Sequence, residues 1–153
     1  MYDVILMLHS WNRRLILVVG IIAVLLAYNG WRGNKIFSSL DNLLGTTFMG
    51  AMHMQLLFGI ILYFFLSPKT LYAIAHFSEV MKDSQSRYFA LEHGIIMLLA
   101  IALVQTGRIL VHKTPGDQLK HKRSFIFFSI AMLLIILMVP YGNSHEGWPL
   151  LRF

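Results

Sequence analysis

Histidine is the residue in this sequence best suited to chemistry, because its ring binds metals and exchanges protons near neutral pH. The chain has seven histidines and no cysteine, which excludes thiolate metal sites, iron–sulfur clusters and covalently attached haem. It also has no Gly-rich phosphate loop and no H-E-x-x-H zinc motif, so nucleotide binding and metal-dependent hydrolysis have no sequence support. A cofactor held non-covalently between two imidazoles is one kind of chemistry that histidines can still provide.

The elements that must position these histidines are apolar helices. Hydrophobic residues make up 57% of the 153 residues and charged residues only 13%, whereas a soluble domain has about a quarter charged residues. Each of four apolar stretches can be extended to the ~20 residues that a helix needs to cross ~30 Å of hydrocarbon. We therefore predict an all-α, integral membrane, up-down bundle of four transmembrane helices in one domain, at about residues 4–29, 43–66, 87–112 and 122–140.

The connection between the second and third predicted helices is the longest. Ser39 or Asp41 is the expected N-cap of the second helix, and Ser67-Pro68 its expected end. A short amphipathic helix on the membrane surface and an ordinary loop both fit the connection itself. The helical alternative is suggested by apolar residues at helical spacing, namely Leu71, Ile74, Phe77 and Met81.

Depth in the membrane decides which histidines can share a cofactor. His9 enters the first predicted helix and His93 enters the third. These helices run in the same direction and are diagonal neighbours in an up-down bundle, so both histidines lie near the same membrane face and can meet across the bundle axis. His9 and His93 are therefore the predicted axial ligands of the iron of a haem b, with apolar side chains as its walls.

Polar neighbours of the two histidines are predicted to serve the same cofactor. Arg13 or Arg14, with Asn12, would face the haem propionates, and Glu92 would neutralise an arginine or orient a ligand histidine. The alternative is that these residues form a structural polar cluster with no cofactor. The pattern does not decide between the two.

His53 and Gln55 form a second polar site in the second helix. His53 lies too deep to be a good partner for His93, so it is expected to face a quinone, to relay protons or to make an interhelical hydrogen bond. Six basic residues around the third connection are predicted to bind lipid headgroups, namely Arg108, Lys113, Lys120, His121, Lys122 and Arg123.

The charge distribution predicts both partners and orientation. The net charge is +6, but the basic residues are confined to short connections without interleaved aromatic residues, so we expect anionic lipid and not nucleic acid as their partner. When Arg13 and Arg14 are taken as buried, the first and third connections carry more basic residues than the opposite side. The positive-inside rule then places both termini on the periplasmic side of a bacterial inner membrane.

Several short motifs carry a family resemblance: Leu8-His9-Ser10-Trp11-Asn12-Arg13, Gln55-Leu56-x-x-Gly59, Tyr63-Phe64-Phe65-Leu66-Ser67-Pro68, Glu92-His93 and His121-Lys122-Arg123. Over most of its length the chain resembles a family of small bacterial four-helix membrane proteins labelled cytochrome b-like. The resemblance implies haem binding and electron transfer, with motif positions at His9, Asn12, Arg13, Glu92, His93, Arg108 and His121. The large respiratory cytochromes b carry widely spaced histidine pairs for two haems, which no helix here has, so at most one haem is expected.

The sequence thus predicts a haem b protein that passes electrons between the quinone pool and a partner complex, with quinone as an additional ligand. A non-catalytic accessory subunit, docked through its apolar helix faces onto a larger inner-membrane assembly of other subunits, fits the composition equally. Whether the chain is an enzyme stays open.

Overall fold

The computed structural model describes residues 1–139, which form an all-α fold with no β-strand within that range. In chain order the helices are α1 (Tyr2–Arg32), α2 (Ser39–Ile61), α3 (Pro68–Ala75), α4 (Phe77–Val80), α5 (Ser84–Arg87), α6 (His93–His112) and α7 (Asp117–Leu137). A π-helical turn, π1 (Leu62–Leu66), continues α2, and a second, π2 (Tyr88–Glu92), leads into α6. Pro140, the predicted end of the fourth helix, lies outside the described residues.

Three segments of the described chain are helical, long and apolar enough to cross a membrane. They are Tyr2–Arg32, Ser39–Leu66 and Ser84–His112. Their apolar side chains are widely exposed, as for Val18, Leu57 and Leu98, which is favourable only where the surroundings are themselves apolar. Helix α7 is not among the three, because its first two turns carry Lys120, Lys122 and Arg123. The architecture is compatible with a multi-pass membrane protein.

The ends of α2 follow from local side-chain chemistry. Ser38 is the N-cap, one residue before Ser39 and three before Asp41, the two positions expected from the sequence, and it forms a capping box with Asp41. The Ser38 hydroxyl accepts the Asp41 N–H at 3.3 Å, and the Asp41 carboxylate accepts the Ser38 N–H at 2.9 Å. At the other end Ser67 is extended and Pro68 starts α3, where proline's missing N–H costs nothing. The Ser67-Pro68 pair therefore separates α2 and π1 from the surface segment.

The four long helices pack as a bundle in which consecutive long helices are neighbours. Helices α1 and α2, α1 and α7, and α6 and α7 share extensive interfaces, while α2 and α6 share a smaller one, so that α1 and α6 are diagonal. The core contains an edge-to-face pair, Phe48 and Phe128, with ring centroids 5.3 Å apart. The narrow α2–α6 interface leaves room for a cavity on that side of the bundle.

The long connection folds as short helices and not as one continuous surface helix. Helix α3 ends at Ala75, His76 leaves helical geometry, and α4 restarts at Phe77. Leu71, Ile74 and Phe77 are exposed. Met81, the fourth apolar residue at this spacing, instead packs against the buried residues Ala73, Val80 and Ala90.

Candidate functional site

A cavity of about 470 Å³ lies among the four long helices, near the N-terminal end of α1. Its volume falls within the ~300–1,000 Å³ of small-molecule and cofactor sites. Its walls are mostly apolar and come from all four long helices, among them Ile16, Met52, Leu56, Ile60, Met97, Leu98, Ile101 and Ile135. Such walls suit an apolar or amphipathic ligand.

His9 of α1 and His93 at the start of α6 both line this cavity. The Nδ1 atom of each ring is buried and has no hydrogen-bond partner among the described residues. On the α2 side, a Cβ added at Gly59 would lie 3.9 Å from Cε1 of His9, so the helix backbone closely approaches this ring. On the α6 side, the His93 ring lies beside Tyr88, with centroids 5.8 Å apart. Two imidazoles from diagonal helices therefore reach one cavity.

Asn12 and Gln55 join α1 to α2 through their side-chain amides. Nδ2 of Asn12 donates to Oε1 of Gln55 at 2.7 Å and to the Ala51 carbonyl at 2.8 Å. Nε2 of Gln55 donates to the His9 carbonyl at 3.1 Å. Both amides are used in this helix–helix contact, so Asn12 has no amide N–H left for a propionate.

The two arginines of α1 have different environments. Arg13 lines the cavity. The guanidinium carbon of Arg14 lies 4.4 Å from the ring centroid of Trp11, a cation–π contact on its own helix. Of the pair, Arg13 is the one that borders the cavity.

Glu92 forms an ion pair outside the cavity lining. Its Oε1 lies 2.7 Å from Nε of Arg87, and Nη1 of Arg87 also donates to the Met81 carbonyl at 3.3 Å. Glu92 therefore neutralises an arginine, one of its two expected roles, and the partner is Arg87. This ion pair stabilises the chain at the junction between π2 and α6.

The two π-turns are tied to each other at the edge of the cavity. The Tyr63 hydroxyl in π1 donates to the Ala90 carbonyl in π2 at 2.5 Å. The Tyr88 hydroxyl in π2 donates to the Met138 carbonyl, which follows α7, also at 2.5 Å. π-Turns inside helices frequently occur at functional sites, because they redirect side chains by one residue. Here they flank His93 and Gly59.

A smaller chamber of about 120 Å³ adjoins the main cavity. The two spaces share His9, Arg13, Gly59, Tyr63, Phe89 and His93 as lining residues. The smaller one adds the start of α3, through Ser67, Lys69 and Thr70. The Lys69 ammonium lies 5.5 Å from the ring centroid of Phe89, the side chain that borders both spaces. The sequence around Lys69 gives no signal that this residue borders a cavity.

His53 and Gln55 do not form a joint site. His53 is exposed on the outer face of α2, and its Nδ1 lies 2.8 Å from the Met49 carbonyl of the same helix. This contact replaces the interhelical bond that was one of its expected roles. Gln55 instead lines the cavity and bonds to α1.

Two of the six basic residues at the other end of the bundle are buried. Arg108 is only 2% exposed and donates through Nη2 to Asn42 at 2.8 Å and to Thr46 at 2.7 Å. Its guanidinium lies across Gly45, where a Cβ would come 2.8 Å from Nη1. The sequence suggested that Arg108 binds lipid headgroups. The structure instead buries Arg108, which links α6 to α2.

His121 is the second buried member, with 1% exposure. It packs against Gly30 of α1, where an added Cβ would lie 2.2 Å from its ring, and against Phe37, with ring centroids 5.0 Å apart. Neither ring nitrogen has a hydrogen-bond partner among the described residues. A lipid-headgroup role requires exposure, which His121 does not have.

The other four basic residues remain near the surface. Lys113 and Lys122 are exposed, and Lys122 lies 5.6 Å from the Trp31 ring centroid. Nζ of Lys120 lies 3.9 Å from Asp117. Arg123 donates to the Thr114 hydroxyl and to the Leu110 carbonyl, groups at the C-terminal end of α6. Exposed lysines thus supply the positive surface of this end.

No group of three or more metal-ligating side chains occurs within residues 1–139, so a metal site built wholly from protein ligands has no basis in that range. A cofactor that supplies some of the metal ligands itself requires fewer ligands from the protein. Comparison with family models, curated proteins and solved structures finds no match to this chain.

Proposed function

We propose that this chain is an electron-transfer protein that binds one haem b through His9 and His93. The observation that supports the proposal is the meeting of these two histidines, from diagonal helices, at one cavity. The Nδ1 atom of each ring is buried and has no hydrogen-bond partner in the described part of the chain. The resemblance to the cytochrome b-like family includes both histidines among its motif positions.

The cavity meets the general requirements of a b-type haem. Such a haem needs two axial imidazoles, apolar walls and cations near its propionates. His9 and His93 would supply the first, the aliphatic lining the second, and Arg13 a cation. The volume of about 470 Å³ is that of a cofactor site and not of a packing defect. The residues present therefore fit the group.

Bound haem would supply a one-electron couple, and the chain's own residues would set its surroundings. The apolar walls exclude water and lower the local dielectric constant. Both effects change the reduction potential of a bound haem. The Asn12–Gln55 contact holds the α1 backbone at His9 against α2. The Tyr63–Ala90 hydrogen bond holds π2 next to His93. Both ligand histidines are thereby attached to fixed backbone.

We propose that the bound haem passes electrons between the membrane quinone pool and a partner complex. Ile60 and Phe64 on one side and Ile95 and Leu98 on the other line the cavity and are also exposed on the outer surface. The cavity therefore opens between α2 and α6 toward the surface that would face hydrocarbon, which is where a quinol diffuses.

We also propose that α7 crosses the membrane as a fourth span, giving an up-down bundle in a bacterial inner membrane with both termini periplasmic. Residues 124–137 of α7 are mostly apolar. The exposed Lys113 precedes α7 and the exposed Lys122 lies in its first two turns, which favours the N-terminal end of α7 as the cytoplasmic end. An epitope on the N-terminus should be accessible from outside spheroplasts. Accessibility only after the inner membrane is broken would overturn the orientation.

The haem proposal is tested by purifying the full chain from a haem-replete host and recording its reduced-minus-oxidised spectrum. We expect a b-type α-band that is lost in His9→Ala and in His93→Ala. His53→Ala and His76→Ala are the matched controls and should keep the band, since both histidines are exposed and away from the cavity. Added imidazole should restore part of the band in His93→Gly, because the cavity keeps its shape.

A short-chain quinol analogue should reduce the bound haem, measured by growth of the same band. A colourless wild-type preparation, or a band that survives both alanine substitutions, would overturn haem ligation by these residues. A colourless protein that co-purifies with other subunits would instead favour the accessory role.

A further inference from the structure

His121 is a buried polar residue that the proposed haem site does not use. It lies in the second turn of α7, at the end of the bundle opposite the main cavity, and is only 1% exposed. Neither ring nitrogen has a hydrogen-bond partner among the described residues. A neutral imidazole carries one N–H donor and one acceptor nitrogen, and leaving such groups buried without a partner is unfavourable. The His121 ring is therefore suited to a small hydrogen-bonding ligand.

The ring is held in place by two other parts of the chain. An added Cβ at Gly30 of α1 would lie 2.2 Å from Cε1 of His121, so the ring packs directly on the α1 backbone. Phe37, between α1 and α2, lies on the ring with centroids 5.0 Å apart. Turning the ring toward the surface would disrupt both contacts. A hydrogen-bonding ligand must therefore reach His121 inside the bundle.

A small cavity borders His121 at this position. It offers about 10 Å³ to the centre of a water molecule, which is close to the ~10–15 Å³ that one buried water needs. Most of its walls are apolar side chains of α1, α2 and α7, such as Ala23, Leu44 and Phe128. The cavity therefore has room for one water molecule and for nothing larger.

Two further polar side chains border the same cavity. Asp41 comes from the first turn of α2, and Ser124 from α7, three residues after His121. The capping box uses Oδ2 of Asp41, which accepts from the Ser38 N–H at 2.9 Å and from the Ser38 hydroxyl at 2.6 Å. Its second oxygen, Oδ1, is then the natural acceptor for a water. Together with His121 these side chains offer about three hydrogen bonds, the usual number for a buried water.

We propose that this cavity binds one water molecule, which hydrogen-bonds to His121 and connects α7 to Asp41 of α2. Helices α2 and α7 are the second diagonal pair of the bundle and share no extensive direct interface. The bound water provides a polar link between them across the bundle axis. This role of His121 does not depend on haem binding.

The proposal is tested by a double-mutant cycle on two residues that would share the water. Ser124→Ala should lower the midpoint of thermal unfolding in mixed micelles by roughly 2–4 °C, because the water loses one partner. His121→Phe should lower it as well, and Ser124→Ala should have clearly less effect in the His121→Phe background. Phenylalanine is also larger than histidine, so the comparison of Ser124→Ala in the two backgrounds decides the outcome.

Ser129→Ala is the matched control, because Ser129 is a serine of the same helix that does not border the cavity and whose hydroxyl has no hydrogen-bond partner among the described residues. It should not lower the midpoint. A crystal structure of the wild-type protein should show a water oxygen within about 3.2 Å of a His121 ring nitrogen. A well-ordered His121 ring beside a cavity without water density, or equal effects of Ser124→Ala in both backgrounds, would overturn the proposal.

Discussion

The side-chain amide of Asn12 donates a hydrogen bond of 2.7 Å to the amide oxygen of Gln55, and Gln55 donates back to the His9 carbonyl at 3.1 Å. These bonds cross the interface of α1 and α2 at the level of the cavity. In hydrocarbon the competing partner is no longer water, so an amide pair of this kind sets the register of two helices. One contact therefore fixes both the packing of α2 against α1 and the position of His9 along the bundle axis.

Substituting leucine for Asn12 should destabilise the protein by about 1–2 kcal/mol, because the Gln55 oxygen and the Ala51 carbonyl each lose a donor in a partly buried site. The measurement is the free energy of unfolding in mixed micelles. His53→Leu is the control and should have little effect, since His53 bonds only within its own helix.

A double-mutant cycle sharpens this prediction. If the two amides act as a pair, Asn12→Leu combined with Gln55→Leu should cost clearly less than the sum of the single substitutions. Strict additivity would show that each amide acts alone.

The positions of the long helices and the meeting of His9 with His93 could be predicted from the sequence. Apolar runs of membrane length joined by short connections allow few arrangements of the four long helices. In an up-down order the first and third of these helices are diagonal. Helix ends were less predictable. Helix α1 contains no proline, continues through Gly20 and Gly30, and ends at Arg32 with Gly33 as its C-cap, and π1 and π2 have no local sequence signal.

The burial of Arg108 and His121 could not be predicted, because a basic residue at the end of an apolar run usually faces the headgroups. What decides their position is a glycine on another helix. Gly45 of α2 leaves space for the Arg108 guanidinium, and Gly30 of α1 leaves space for the His121 ring. A pairing of this kind depends on which helices are neighbours, and that is fixed only by the tertiary structure.

The role of Asn12 could not be read from the sequence for a similar reason. Asn12 precedes two arginines, and that pattern suggests a ligand-facing polar group. Its actual partner, Gln55, is 43 residues away, and an amide gives no indication of which helix it will bond to.

Two glycines offer a direct test of whether the cavity binds a ligand. An added Cβ would meet no atom within 4 Å at either Gly94 or Gly50, and both glycines lie within long helices. Gly94 lines the main cavity, whereas Gly50 is exposed and does not. Leucine at either position should fold, and should favour the helix by up to about 1 kcal/mol over glycine.

Only Gly94→Leu should affect the ligand. Its side chain would occupy part of the apolar space next to His93, so we expect at least roughly tenfold weaker haem binding, equal to about 1.4 kcal/mol. Gly50→Leu should bind haem as the wild type does. The measurements are haem titration by absorbance and helix content by circular dichroism. Equal haem affinity in the two variants, with helix content preserved, would mean that the ligand does not occupy this cavity, even if the chain binds haem elsewhere.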